Sequence, residues 1–136
     1  MDLVRADLGH LWAHLDLKMC AVTERQYSLL VGEVMRGRAY AGLVDDRPLG
    51  LGGVYDAGDG GSGFPWLSVA PGGLGRHLVV AVRHMRRVIA ADARRYPSVA
   101  CSVADDNARG MRLAVALGFV PTDATIGGIR RWDLEE

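Results

Sequence analysis

The stretch from Val99 to Pro121 constrains the fold of this chain more than any other. Val99-Ala100-Cys101-Ser102-Val103-Ala104 is a short apolar run of small and β-branched residues, the composition of a largely buried strand. Asp105-Asp106-Asn107 follows, and the Asn107 side-chain oxygen suits the cap of a helix whose apolar side is Met111, Leu113, Ala114 and Leu117. Gly118 offers the left-handed residue that ends this helix, and Phe119-Val120 start another strand.

The preceding residues supply further elements in a definite order. Leu3-Val4-Arg5 reads as a short first strand, and Asp7 starts a helix in which Leu8, Leu11, Trp12, Leu15 and Met19 repeat at helical spacing. Thr23 and Gln26 have capping-box spacing. They open a second helix with a stripe of Tyr27, Leu30, Val31, Val34 and Met35, ended by Gly37. Residues 39–44 and 49–55 flank Asp45-Asp46-Arg47-Pro48 and read as an antiparallel hairpin. A glycine-rich connection, residues 56–63, leads to a strand at 64–70. Pro71-Gly72-Gly73-Leu74-Gly75 then feeds a long helix from about Arg76 to about Tyr96. On that helix Leu78, Val82, Met85 and Ile89 mark the buried side, with Arg83, Arg86, Arg87, Arg94 and Arg95 in solvent. Helices alternating with strands after a hairpin predict a mixed sheet with helices on both faces.

A chain of 136 residues with 49% hydrophobic content buries one core, so residues 1–136 are expected to form a single domain. Zero formal net charge gives no global field towards nucleic acid or an anionic membrane. Cys20 and Cys101 both sit in apolar segments, which suggests buried thiols in a reducing compartment rather than a disulfide framework. No apolar run approaches the roughly 18 residues that span a bilayer, and the acidic start at Asp2 is unlike a signal peptide. A cytoplasmic location follows as the expectation.

The order of elements, over nearly the whole chain, resembles that of the Gcn5-related N-acetyltransferases, the GNAT superfamily. The Asn107 helix closing on Gly118-Phe119 resembles their last shared segment. The resemblance implies an α/β (α+β) fold with a mixed, mostly antiparallel central sheet. It also implies acetyl-CoA as cosubstrate and acetyl transfer to a primary amine on a small molecule or protein. Gly52-Gly53, the aromatic-led Phe64-Pro65-Trp66-Leu67 and the Asn107 helix most resemble small acetyltransferase-like proteins of tailed bacteriophages, including an internal virion protein family of short-tailed phages.

The chemistry centres on residues 69–76. A glycine-rich turn feeding a helix leaves backbone N–H groups unpaired at the positive end of the helix dipole, where phosphate binds readily. Gly72, Gly73 and Gly75 permit positive φ, and Arg76 offers a guanidinium fork. In the superfamily this loop cradles the coenzyme pyrophosphate, which implies that role for Gly72, Gly73, Leu74, Gly75 and Arg76. The loop departs from the superfamily pattern: no Gln or Arg stands three positions before a Gly, and Pro71 removes a donor. A plain glycine turn joining strand to helix is the alternative. The resemblance further implies that the fourth and fifth strands splay near Val69 and Asn107 to admit the pantetheine arm, with the Val69 N–H polarising the thioester carbonyl and the amine arriving from the first two helices.

Seven residues after Asn107 the superfamily usually carries a Tyr that protonates the departing thiolate, and here the position is Ala114. Residues 64–70 contain no carboxylate, so proton removal falls to Asp56 or to water, while Tyr55 and Ser68 read as packing or loop residues. His10 and His14 have a spacing that can bind zinc, but no third ligand is evident beyond Asp7, and His77 and His84 read as a solvated pair on the long helix. The helix arginines read as a solvated face, or else as a surface for a homodimer or a phage or host protein partner. Two functions therefore stand side by side: an acetyl-CoA-dependent N-acetyltransferase, and a catalytically degenerate protein of the same fold acting as an interaction or virion-associated protein.

Overall fold

A computed structural model describes residues 1–18, 22–56 and 61–135; Met19, Cys20 and the middle of the glycine-rich connection lie outside the described residues. The elements are β1 (Asp2–Arg5), α1 (Leu8–Leu17), α2 (Glu24–Met35), β2 (Ala39–Val44), β3 (Arg47–Asp56), β4 (Ser62–Val69), a 3₁₀ turn (Gly75–His77), α3 (Leu78–Ala93), β5 (Ser98–Ala104), α4 (Ala108–Ala116), β6 (Phe119–Ile126) and β7 (Ile129–Leu134). The strands form one sheet in the order β1-β2-β3-β4-β5-β7-β6. Neighbours run antiparallel except β4 and β5, which are parallel.

Local chemistry explains where the helices begin. Asp7 Oδ1 accepts from the His10 N–H at 2.8 Å while His10 Nδ1 accepts from the Asp7 N–H at 3.1 Å, a closed capping box. Thr23 and Gln26 make the same reciprocal pair at 3.2 and 2.9 Å. Asn107 Oδ1 accepts from the Gly110 N–H at 2.9 Å, the cap its position suggests. The hairpin is tighter than its composition implies. Asp45 and Asp46 alone turn the chain, at φ 50° and 61°, because a two-residue turn with both φ positive matches the twist of paired strands. Arg47 and Pro48 thus belong to β3.

Leu51 packs with Leu11, Leu15, Leu30 and Val34, whereas Val54 packs with Ile89, Val103, Ala114 and Phe119. Three residues along a strand reverse the side-chain direction, so α1 and α2 cover one face of the sheet and α3 and α4 the other. The stripes need adjustment. On α2, Leu30 and Val34 are buried but Met35 is 66% exposed, and Glu33 turns inward in its place at 2%. On α3, Ala81, Val88 and Ile89 meet the sheet while Leu78 is 51% exposed. Arg83, Arg86, Arg87, Arg94 and Arg95 are exposed. His84 is half-buried rather than solvated, its Nε2 donating to the Met1 carbonyl at 3.3 Å. Among the described residues no helix is long and apolar enough to cross a membrane.

Candidate functional site

The register of β3 against β4 determines what the sheet exposes at its centre. The Ala70 N–H donates to the Leu49 carbonyl at 2.8 Å beside the Gly50–Val69 pair, which makes that pair a non-hydrogen-bonded one. The N–H and C=O of Val69 therefore point away from β3. By the two-residue alternation so do those of Leu67, Pro65 and Gly63. Gly63 uses its groups to pair with Val99 of β5, next to the Ser62–Ser98 pair. Pro65, next in the alternation, has no N–H to continue that ladder. Pairing stops after Gly63, and β4 and β5 diverge towards Val69 and Ala104.

The gap between them is a cavity of about 460 Å³ whose walls include Val69, Leu78, Val82, Met85, Val103 and Ala114. Leu78 and Val82 thus face this cleft, and Met85 borders it while also packing against the cluster of Val54 and Ile89. Gly73, Leu74 and Gly75 border it from the loop, and Asn107 from the start of α4. The turn that presents Asn107 is braced from β7: Arg130 donates to both Asp105 carboxylate oxygens at 3.0 and 3.3 Å, and the Asp105 N–H donates to the Gly128 carbonyl at 2.9 Å.

At the mouth of the cleft Gly72, Gly73 and Gly75 adopt φ of 88°, 70° and 51°. A Cβ at any of the three would meet nothing within 4 Å, so conformation rather than crowding calls for glycine there, and the space beside the loop is open. The long helix starts later than its sequence suggests, with a 3₁₀ turn intervening before Leu78. The Gly73 N–H is taken by the Ala70 carbonyl at 3.0 Å and that of His77 by the Leu74 carbonyl at 2.8 Å. Among the described residues the N–H groups of Gly72, Leu74, Gly75 and Arg76 have no such partner. Gly72 and Arg76 lie on the exposed side of this loop.

No protein-family model matches the chain, and no curated protein does. Solved structures do. A protein described as a GnaT-family acetyltransferase from Bordetella pertussis superposes with a TM-score of 0.69 at 20% identity, covering 98% of this chain and 94% of that one. A spermidine N-acetyltransferase chimera from Vibrio cholerae and hSSAT gives 0.66 at 16%, covering 98% and 96%. The yncA protein of Salmonella typhimurium, described as an acetyltransferase and solved with its cofactor acetyl-CoA, gives 0.65 at 17%, covering 98% and 92%. This chain has the GNAT fold.

Within the GNAT fold, the remaining predicted residues divide. Ala114 is 3% exposed and presents only a methyl group to the cleft. Asp56, the candidate for proton removal, ends β3. It pairs with Gly63 at the closed end of the split, about 20 Å along β4 from Val69, and it does not border the cavity. Its charge acts on Glu33 of α2 instead. Cys101 borders the cleft, and burial, reinforced by Asp133, pushes its thiol up to about 11, so the sulfur carries a proton at neutral pH and is a poor nucleophile.

Some groups here escape a reading of the sequence. The Leu67 N–H faces the cleft beside that of Val69. Trp66, on the cleft wall, has a buried Nε1 with no hydrogen-bond partner among the described residues. Lys18 donates from Nζ to the Val69 carbonyl at 3.1 Å. His14, fully buried, donates from Nδ1 to the Pro48 carbonyl at 2.7 Å, because a carbonyl can only accept. Its Nε2 lies 2.9 Å from Ser68 Oγ. Burial lowers the His14 pKa, the Pro48 bond opposes this, and Lys18 adds to it. The available signal was positional: His14 and Lys18 are polar residues on the stripe of Leu11 and Leu15, the face that α1 turns to the sheet.

Proposed function

We propose that this protein is an acetyl-CoA-dependent N-acetyltransferase acting on a primary amine. The observation that carries the reading is the junction of an apolar cleft, opened between β4 and β5 at Pro65, with the unpaired amides of the Gly72–Arg76 loop. The residues fit the cosubstrate. The loop amides and the Arg76 guanidinium suit a diphosphate, and the cleft beyond suits an extended arm that can bond to the strand groups of β4. Acetyl-CoA supplies an activated acetyl thioester.

The chain's own contribution is orientation and electrostatics. Backbone N–H groups of Leu67 and Val69, fixed by the β3 register, polarise a carbonyl placed in the cleft without reorganising. Holding an amine against that carbonyl contributes roughly 7–11 kcal/mol, whereas a general acid contributes 10²–10⁴-fold, or about 3–5 kcal/mol. Ala114 therefore slows the reaction by the smaller amount, and the leaving thiolate takes its proton from water. The same methyl group is the observation that favours the second reading, a fold that binds acetyl-CoA without turning it over.

Thermal unfolding with acetyl-CoA tests the proposal. Acetyl-CoA raises Tm, and Gly73→Asp, which places a carboxylate beside the phosphate amides, removes the rise while lowering the unliganded Tm by only a few degrees. An unchanged wild-type Tm at millimolar acetyl-CoA would overturn the reading. Mass spectrometry of a primary-amine panel that includes spermidine separates transfer from binding alone.

A further inference from the structure

We propose that Ser68, backed by His14, takes the proton from the acceptor amine. The inference rests on the acetyltransferase reading and adds to it the base that Asp56 is too distant to be. Ser68 and Val69 are consecutive on β4, and the Val69 N–H belongs to the peptide that leaves the Ser68 Cα. One strand therefore carries the carbonyl-polarising donor and, on the adjoining carbon, a hydroxyl directed to the face covered by α1. Ser68 is half-buried, between Leu67 and Val69 that line the cleft, whereas His14 behind it is fully enclosed.

The hydrogen bonds fix the direction of proton flow. Nδ1 of His14 carries its hydrogen, since it faces the Pro48 carbonyl at 2.7 Å. In the neutral ring Nε2 is then an acceptor, and Ser68 Oγ donates to it across 2.9 Å. This is a hydroxyl, a base and a third group that orients the base, an arrangement able to move a proton. The groups facing His14 are the Pro48 carbonyl from β3, the Ser68 hydroxyl from β4 and the Lys18 ammonium at the end of its own helix; burial lowers the ring's pKa, the Pro48 bond opposes this and Lys18 adds to it.

The step balances. The amine nitrogen forms a bond to the acetyl carbon as the carbon–sulfur bond breaks. One proton leaves that nitrogen for Ser68 Oγ while the Ser68 proton moves to His14 Nε2, and the thiolate acquires a proton from water. His14 then carries two ring protons, one held by Ser68 Oγ and one by the Pro48 carbonyl, until it returns one to solvent through the hydroxyl.

Two measurements test the pair. In the ligand-free protein, nitrogen-15 NMR of the imidazoles is expected to show His14 as the Nδ1–H tautomer, titrating below 6.5. A hydrogen on Nε2 in the neutral ring would overturn the proposal. In steady-state assays with acetyl-CoA and the amine panel, Ser68→Ala is expected to lower kcat by about 10²-fold or more with the acetyl-CoA-induced Tm rise intact. Ser68→Thr, which keeps the hydroxyl, is expected to restore most of it, and the acid limb of the wild-type kcat/KM profile is expected to track the His14 titration. Wild-type kcat and pH profile in Ser68→Ala would overturn the role, as would acetyl-CoA binding without transfer to any amine. Failure of the wild-type protein to bind acetyl-CoA would instead remove the acetyltransferase reading itself.

Discussion

His14 and Glu33 are both buried and ionisable, and they respond to pH in opposite senses. His14 has a lowered pKa, so its contribution to stability is complete above its ordinary value of 6.5 and is lost as pH falls below that value towards the folded pKa. Melting curves are expected to show Tm declining on acidification below 6.5, and His14→Gln to melt lower at pH 7 but decline less steeply. Glu33 has a raised pKa, chiefly through burial and against the pull of Arg38 and Arg36. Its Oε1 has no hydrogen-bond partner among the described residues, and its Oε2 stands 3.6 Å from Arg38 and 3.8 Å from Arg36. The stabilising contribution of the protonated acid is present below 4.5 and is lost as pH rises through the folded value. Glu33→Gln is therefore expected to be more stable than the wild type at pH 7, on the order of 1 kcal/mol in urea unfolding, with the gap closing near pH 4. A wild-type advantage at pH 7 would contradict this. Glu33 was hidden in the sequence because a carboxylate beside Leu30 and Val34 reads as the rim of an amphipathic stripe, and only the rotation of α2 on the sheet turns it inward.

At the scale of elements, caps and strands were legible and distances along strands were not. Asp7, Thr23 and Asn107 announce their helices because an N-cap is a local contact complete within four residues. The divergence of β4 and β5 was expected by resemblance alone; its physical cause, Pro65, emerges from the β3–β4 register, which no local pattern encodes. Asp56 illustrates the same limit: its place just after a strand did not say which end of the split that strand would meet. Pro65→Val restores the missing donor and is expected to let the β4–β5 ladder extend by a step. Hydrogen exchange is then expected to show protection of the new amide, and the acetyl-CoA-induced Tm rise to shrink. An unprotected amide with an unchanged rise would show that other packing holds the strands apart.

For the whole molecule, two hydrophobic clusters share a single sheet. One lies under α1 and α2 and the other between the sheet and α3 and α4, with β4 and β5 joined directly by two residue pairs. A ligand seated in the split touches both halves and binds only when they are assembled. At a concentration of about 100 Kd it stabilises the fold by about 2.7 kcal/mol, which for a domain of this size corresponds to a Tm rise of roughly 10 °C.

The opened split has a cost for the unliganded chain. The N–H and C=O of Leu67 and the N–H of Val69 face away from β3 and form a short margin inside the sheet, a template on which an extended segment of another chain can add, while the Val69 carbonyl is held by Lys18. An extended ligand lying in the split would cover that margin, so self-association is expected to be greatest in preparations stored without one.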